Sequence, residues 1–243
     1  MTTSVTPGGP LIGTAAESFE RFRLGYPDEV VDRTLSFAGR TVTRAVEIGA
    51  GTGKAARAFA SRGVHVTALE PDADMFAVLK RETVGMQVEP VARALEEYDG
   101  PPTDLVYAAA SWHRTDRRSR VRNAWRLLER GGVVAVFASR MRLADPGVQA
   151  VLREARVPVL EDDAFRADHD LAAGDLFTDL EEHLVARELV LPQREYVGYL
   201  STVSDYVALS ADRRQDVLRR LAHVLPPQVR LDLTVRLDLA RRA

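Results

Sequence analysis

Cysteine is absent from the 243 residues, which excludes disulfides, thiolate metal sites and a cysteine nucleophile. Lysine is nearly absent too: Lys54 and Lys80 stand alone, and arginine carries the rest of the positive charge. That bias fits GC-rich codons better than any chemistry. Neither sign of charge is in excess, the formal net charge being −2, so a general nucleic-acid or anionic-membrane surface is not implied. No apolar run approaches membrane-spanning length, and "MTTSVTPGGPLIGTAAE" lacks the basic flank and apolar core of a secretory leader. These absences predict a cytoplasmic protein with no nucleic-acid and no membrane partner. What remains, 46% hydrophobic and 28% charged residues, is ordinary for a globular chain long enough for one sizeable core.

Residues 1–18 read as a mobile tail, with Gly8, Gly9 and Pro10 as breakers, and residues 19–243 as one domain. A helix starts near Asp28, with Val30, Val31 and Leu35 on its apolar face. An alternation of strand and helix follows. "TRAVEI" predicts a buried strand, Lys54–Arg62 a helix closed by Gly63, and "VHVTALE" a second strand. The next helix starts at Asp72 or Asp74, "MQVEPVA" is a third strand, and Thr103–Ala110 a fourth. A helix over about 119–129 ends at Gly131-Gly132 before a fifth strand, "VVAVFAS". Strands separated by helices of this length predict a right-handed, doubly wound, mostly parallel α/β sheet. From about 141 to 181 the pattern is helical and irregular; "EHLVARELVL" returns to strand, helices fall within about 193–224, and "VRLDLTVRLDLA" is a last, antiparallel strand. Its polar–apolar alternation suggests an outer position. The expectation is seven strands, with segments at about 141–181 and 193–224 covering a substrate.

The stretch "AVEIGAGTGKA" crowds Gly49, Gly51 and Gly53 after the first strand. A phosphate loop fails twice, because Ile48 occupies its first glycine and Ala55 its hydroxyl position. Gly51-x-Gly53-x-x-Ala56 matches the dinucleotide fingerprint formally, with Glu70 at the right distance for a ribose. That register starts two residues late, however, and a pyrophosphate gains nothing from Glu47 nearby. S-adenosylmethionine uses every residue. It has no phosphate, its ammonium and sulfonium favour a carboxylate such as Glu47, and the ribose hydroxyls suit the acceptor-only carboxylate of Glu70. A nicotinamide oxidoreductase stays open as an alternative.

"VEIGAGTGKAARAFASRGVHVTALEPDADMFAVL" resembles the first two motifs of class I S-adenosylmethionine-dependent methyltransferases, and "LERGGVVAVF" resembles their glycine turn before the fifth strand. "FRLGYP", "VARALEEYD", "DLVYAAASWHRTD" and "YLSTVSDYVALSADRR" are similar to bacterial small-molecule methyltransferases. The resemblance covers about Phe19 to the C-terminus and implies a Rossmann-like methyltransferase fold with a helical lid. It implies that Glu47, Gly49, Gly51 and Gly53 line the methionine moiety, that Glu70 holds the ribose, and that Pro71 and Met75 sit against the adenine. Ala94, Leu95 and Glu96 would meet the adenine amino group, although Arg93 replaces the usual small residue. Ala110 would stand where methionine end and acceptor approach, and Tyr26 with Arg23 near the cofactor carboxylate. The implied reaction is methyl transfer to a small molecule, an oxygen or nitrogen of a bacterial secondary metabolite, giving S-adenosylhomocysteine. A methyltransferase fold that uses the cofactor structurally for cyclisation or rearrangement is the alternative.

His113 is the candidate base, since it follows the fourth strand at the carboxyl edge where open α/β sheets bind ligands. In the resembling family this position is often conformational. Trp112 and Arg140 are candidates for the substrate pocket, and both also suit plain packing or surface roles. His169 is expected at the surface. In "RRSRVRNAWRLLER" Val121, Ala124, Trp125 and Leu128 form the inner face, which turns the arginines outward. The acids Glu161, Asp162, Asp163, Asp168 and Asp170 lack the histidines or loop glycine of a metal site, so no metal is expected. The sequence leaves open whether the chain is a monomer or a homodimer.

Overall fold

The computed structural model describes residues 16–154, 165, 169–172 and 175–243. Seven strands form one sheet in the order β3-β2-β1-β4-β5-β7-β6: β1 (Arg44–Ile48), β2 (His65–Leu69), β3 (Val88–Val91), β4 (Thr103–Ala109), β5 (Leu128–Leu143), β6 (Phe177–Pro192) and β7 (Gln228–Arg242). The pairs β1–β2, β1–β4, β2–β3 and β4–β5 are parallel, and one strand of the seven, the last, is antiparallel. The helices are α1 (Ala16–Phe22), α2 (Asp28–Phe37), α3 (Lys54–Ala60), α4 (Ala73–Glu82), α5 (Arg120–Arg126), α6 (Pro146–Glu154), α7 (Gln193–Ser201), α8 (Ser204–Val207) and α9 (Ala211–Val224).

The chain divides into two compact units. Among the described residues, the larger holds 25–140, 165, 169–172, 175–187 and 233–243, and its strands sort the sequence onto two faces because side chains alternate across a strand. Ala45, Leu105, Tyr107, Val133, Ala135 and Phe137 share one face with Ala55, Ala56 and Phe59 of α3. Val46, Ile48, Val106, Ala108, Val134 and Val136 share the other with Ala124 of α5 and Trp112. Both faces are covered, so β1 and β4 read as continuous apolar runs. Asp104 fastens the opposite edge of the sheet: its carboxylate accepts the Thr43 and Arg44 N–H groups at 3.0 and 3.1 Å and the Thr43 hydroxyl at 2.9 Å.

Among the described residues, the smaller unit holds 16–24, 141–154 and 188–232. Within it α1 packs on α7, and Gly198 is required there, since a Cβ would stand 2.4 Å from the Phe22 ring. Buried Tyr196, Tyr199, Leu200, Tyr206 and Leu221 form its apolar interior.

Four expectations are corrected. The last strand is not outermost: β7 lies between β5 and β6. Its apolar positions Val229, Leu231, Leu233, Val235, Leu237 and Leu239 are all buried, so alternation marked an inner strand of the sheet. The helix expected to reach 129 stops at Arg126, and β5 begins at Leu128. Thr103 pairs with Leu128 and Leu105 with Val133, leaving a bulge in which Gly131 takes φ 72°. The irregular segment after 141 begins and ends in strand, because β5 runs to Leu143 and β6 starts at Phe177. Arg120 does not face outward; it is buried and holds the Trp112 carbonyl at 3.1 Å and the Asp170 carboxylate.

Candidate active site

The carboxyl ends of β1, β2 and β4 are drawn level by loop hydrogen bonds. Ala50 N–H donates to the Leu69 carbonyl at 2.8 Å, Glu70 N–H to Val91 at 3.0 Å, and Ala110 N–H to Phe137 at 2.8 Å. Between β1 and α3 the chain must turn within five residues. Gly49, Gly51 and Gly53 take φ 62°, 59° and 85°, a region open to glycine without strain. Two are also sterically required. A Cβ on Gly49 would lie 2.7 Å from the Ser111 Cβ, and one on Gly53 would lie 2.6 Å from Leu79. Ser111, which no local pattern singles out, donates to the Ile48 carbonyl and ties the glycine loop to the loop after β4. Ala110 there has φ 55° without being glycine, and such strain concentrates at functional sites.

Glu70 is 7% exposed, and its two oxygens are split between two loops. Oε2 accepts the Gly51 N–H at 2.7 Å and Oε1 the Asp72 N–H at 2.8 Å. An ionised carboxylate has about four acceptor positions, so each oxygen keeps one for a ligand. Burial raises the Glu70 pKa, against the pull of those two N–H groups. Asp72 caps α4 by accepting from Asp74 and Met75 N–H, both at 3.0 Å. Met75 is in the core at 3% exposure while Pro71 is exposed.

Glu47 is turned inward. It is 1% exposed, opposite Tyr107 in the β1–β4 register, and accepts the Tyr107 hydroxyl at 3.2 Å and the Ala56 N–H. Ala56 is the third residue of α3, whose N-cap is Gly53 and has no side chain to offer. Glu47 therefore supplies, from the neighbouring strand, the cap the helix lacks. Burial pushes its pKa up to about 8, beyond what the hydrogen bonds recover, with Glu70 adding repulsion and Arg57 attraction. Tyr107, stacked on Phe59 at 4.2 Å, is raised well above its ordinary value by burial and by Glu47. Tyr26 packs edge-on against Phe137 at 4.7 Å on the same face.

Around the other loops, Leu95 is buried while Ala94 is half-buried, and the exposed Glu96 accepts the Asp116 N–H at 2.8 Å. Trp112 is buried in the core and its indole donates to the His169 carbonyl at 2.9 Å. His113 is exposed in the short turn Trp112–Arg114. Arg140 lies 4.4 Å over the Phe165 ring. Arg23 belongs to the smaller unit, where it donates to Thr202 Oγ1 and O at 2.9 and 3.1 Å. His169, expected at the surface, is buried at 4% exposure, paired with Asp238 through Nδ1. Only tertiary contact decides this, for Asp238 comes from β7 and no local pattern links the two. Glu161, Asp162, Asp163 and Asp168 lie outside the described residues; Asp170 is held by Arg117 and Arg120. Among the described residues there is no cluster of metal-ligating side chains and no helix long and apolar enough to cross a membrane.

The site fits the ribose of a nucleoside cofactor, through Glu70 beside the glycine loop. Thr52, in the middle of the glycine loop, has a buried hydroxyl with no hydrogen-bond partner among the described residues, and such a group calls for a ligand or water. Glu70 flanks the loop, Glu47 lies sealed behind it, and Arg57 of α3 donates to the Thr52 carbonyl at 2.9 Å.

Residues 45–132 match the methyltransferase domain family. An uncharacterized methyltransferase of Mycobacterium tuberculosis is 35% identical over 121 residues, 49% of this chain and 48% of that protein; the matched stretch spans about half the length of the curated relative. A structure from Anaeromyxobacter dehalogenans assigned as a type II methyltransferase superposes with a TM-score of 0.68 at 23% identity, covering 90% of this chain and 98% of its own. Phosphoethanolamine N-methyltransferase 2 of Haemonchus contortus, in complex with S-adenosyl-L-methionine, gives 0.52 at 17% identity over 95% of this chain and 57% of its own. The fold and these likenesses agree: residues 45–132 are similar to methyltransferase domains, and the sheet around them has the fold of the methyltransferase structures.

Proposed function

We propose that the protein transfers a methyl group from S-adenosylmethionine to an oxygen or nitrogen of a small molecule, a bacterial secondary metabolite. The observation that carries this reading is Glu70, whose carboxylate joins Gly51 N–H to Asp72 N–H and still offers an acceptor position on each oxygen. That is the geometry a ribose diol needs. The Haemonchus relative is bound to the same cofactor, which supports carrying it to this chain.

In this reading the cofactor supplies a methyl group already activated by its sulfonium. The chain's part is to bind, orient and exclude water. Gly49 and Gly51 let the backbone approach the methionine end, and Thr52 supplies a hydroxyl to it. Glu70 fixes the ribose, Met75 and Pro71 the adenine plane, and Leu95 with Glu96 its amino edge. Ala110 brings the loop after β4 towards the acceptor, with Trp112 as a buried wall. Exposed His113 accepts the acceptor's proton if that acceptor is a hydroxyl. Tyr26 belongs to the cofactor's carboxylate end and Arg140 to an anionic acceptor.

Titration calorimetry with S-adenosylmethionine, S-adenosylhomocysteine and NADH tests the cofactor, and mass spectrometry of acceptor mixtures for a gain of one methylene tests the transfer. Binding of both adenosyl ligands and methylated product are expected. Tight NADH binding without response to S-adenosylhomocysteine, or an isomerised product of unchanged mass, overturns the reading.

A further inference from the structure

Strand β6 ends the sheet, and an edge strand presents backbone N–H and C=O groups to whatever can pair with them. Its sequence alternates, and one face is partly covered while the other is open. From Phe177 to Arg187 only Phe177 and Val185 are buried, while Leu180 and Leu184 are 48% and 62% exposed. The open edge sets Leu180 and Leu184 among the charges of Asp179, Glu181, Glu182 and Arg187, and charges on an edge restrict which strand can pair with it. The charges on the strand are also unevenly used. Glu182 is paired with Arg236 at 3.0 Å and Asp179 with Arg241 at 2.9 Å. Glu181 meets the half-buried His183 at 2.9 Å. Arg187 is exposed and makes no ion pair among the described residues.

We infer that β6 pairs antiparallel with β6 of a second copy of this chain, about a two-fold axis at Leu184. A two-fold contact is self-complementary, so the strand must match its own reverse. Centred on Leu184 it does. Leu184 meets Leu184, Glu182 meets Ala186, His183 meets Val185, and Glu181 of each copy meets Arg187 of the other. Opposite charges directly across a pair of strands attract, and like charges repel. Neighbouring registers lose this match. A two-fold centred on Val185 sets Glu182 opposite Glu188 and Arg187 opposite His183. A shift the other way sets Arg187 opposite Asp179, which is already held by Arg241 and sits in left-handed backbone at φ 51°. Leu180 and Leu184 lie on one face because side chains alternate; in this register the two Leu184 side chains meet at the axis, and each Leu180 faces Glu188 of the other copy. The acids along the strand then exclude other registers and other edges.

Sedimentation velocity on the full chain across a concentration series tests the pairing. The expected species is a closed dimer of twice the 26.8 kDa chain mass. Arg187→Glu and Glu181→Arg are each expected to raise the dimer dissociation constant about tenfold or more, and the double variant to restore it. Circular dichroism confirms that the exposed substitutions leave the fold intact. A wild-type chain that stays monomeric at all concentrations, open-ended oligomers, single variants without effect, or a double variant no better than the singles would each overturn the proposal.

Discussion

At the scale of single residues, the two acids beside the glycine loop behave differently. Glu70 faces the loops and offers acceptor positions, so Glu70→Ala is expected to weaken S-adenosylhomocysteine binding by about 1–3 kcal/mol, the scale for charged hydrogen bonds left unmade. Calorimetry reads it directly; unchanged affinity would place the ribose elsewhere. Glu47 is sealed, with a pKa raised from 4.5 to about 8. Between those values the folded chain holds a proton that the unfolded chain has released. Stability therefore falls as pH rises from about 4.5 to about 8 and levels off above, by about 1.4 kcal/mol per pH unit for a single group at full effect. Urea midpoints for wild type and Glu47→Gln should diverge across that window, with Gln the more stable at its alkaline end. A flat difference between the two would sink the assignment. His113→Ala separates its two roles: a loss of methyl transfer above about tenfold fits a base, a smaller loss a conformational residue.

At the scale of elements, the turn between β1 and α3 shows why the glycine spacing is obligatory. Gly53 combines φ 85° with Leu79 2.6 Å from a would-be Cβ. Gly53→Ala is expected to cost about 1–3 kcal/mol through backbone strain and repacking, seen as a lowered midpoint in urea. The same helix has no N-cap side chain of its own, and Glu47 replaces it from β1. That exchange was invisible in the sequence. The residues of both elements could be read, but the hydrogen bond from Ala56 to Glu47 exists only once α3 packs back on the strand. The glycine loop, by contrast, was legible because it is local: three glycines, a preceding apolar run and a strand-end acid fall within one short segment.

At the scale of the whole molecule, the C-terminal strand reaches back to complete the site's support. Asp238 on β7 holds His169, whose carbonyl receives the Trp112 indole after β4. Asp238→Ala leaves a buried histidine without its partner, with an expected loss of about 1–3 kcal/mol. The tryptophan emission of the variant should shift as Trp112 loosens, and Trp125→Phe in both backgrounds assigns the shift. An unchanged spectrum would show that the pair does not hold Trp112.

The sequence by itself determined the alternation of β1 to β5 with helices, the place and conformational demands of the glycine loop, and the acid at the end of β2. Those features rest on period, spacing and the left-handed freedom of glycine, all of them local. Only tertiary structure decided that β7 inserts between β5 and β6, that Arg120 and His169 are buried, and that Glu47 faces inward as a cap rather than outward. Each depends on which distant residues arrive opposite, and burial of a charged group is tolerated only where such a partner has been brought to it.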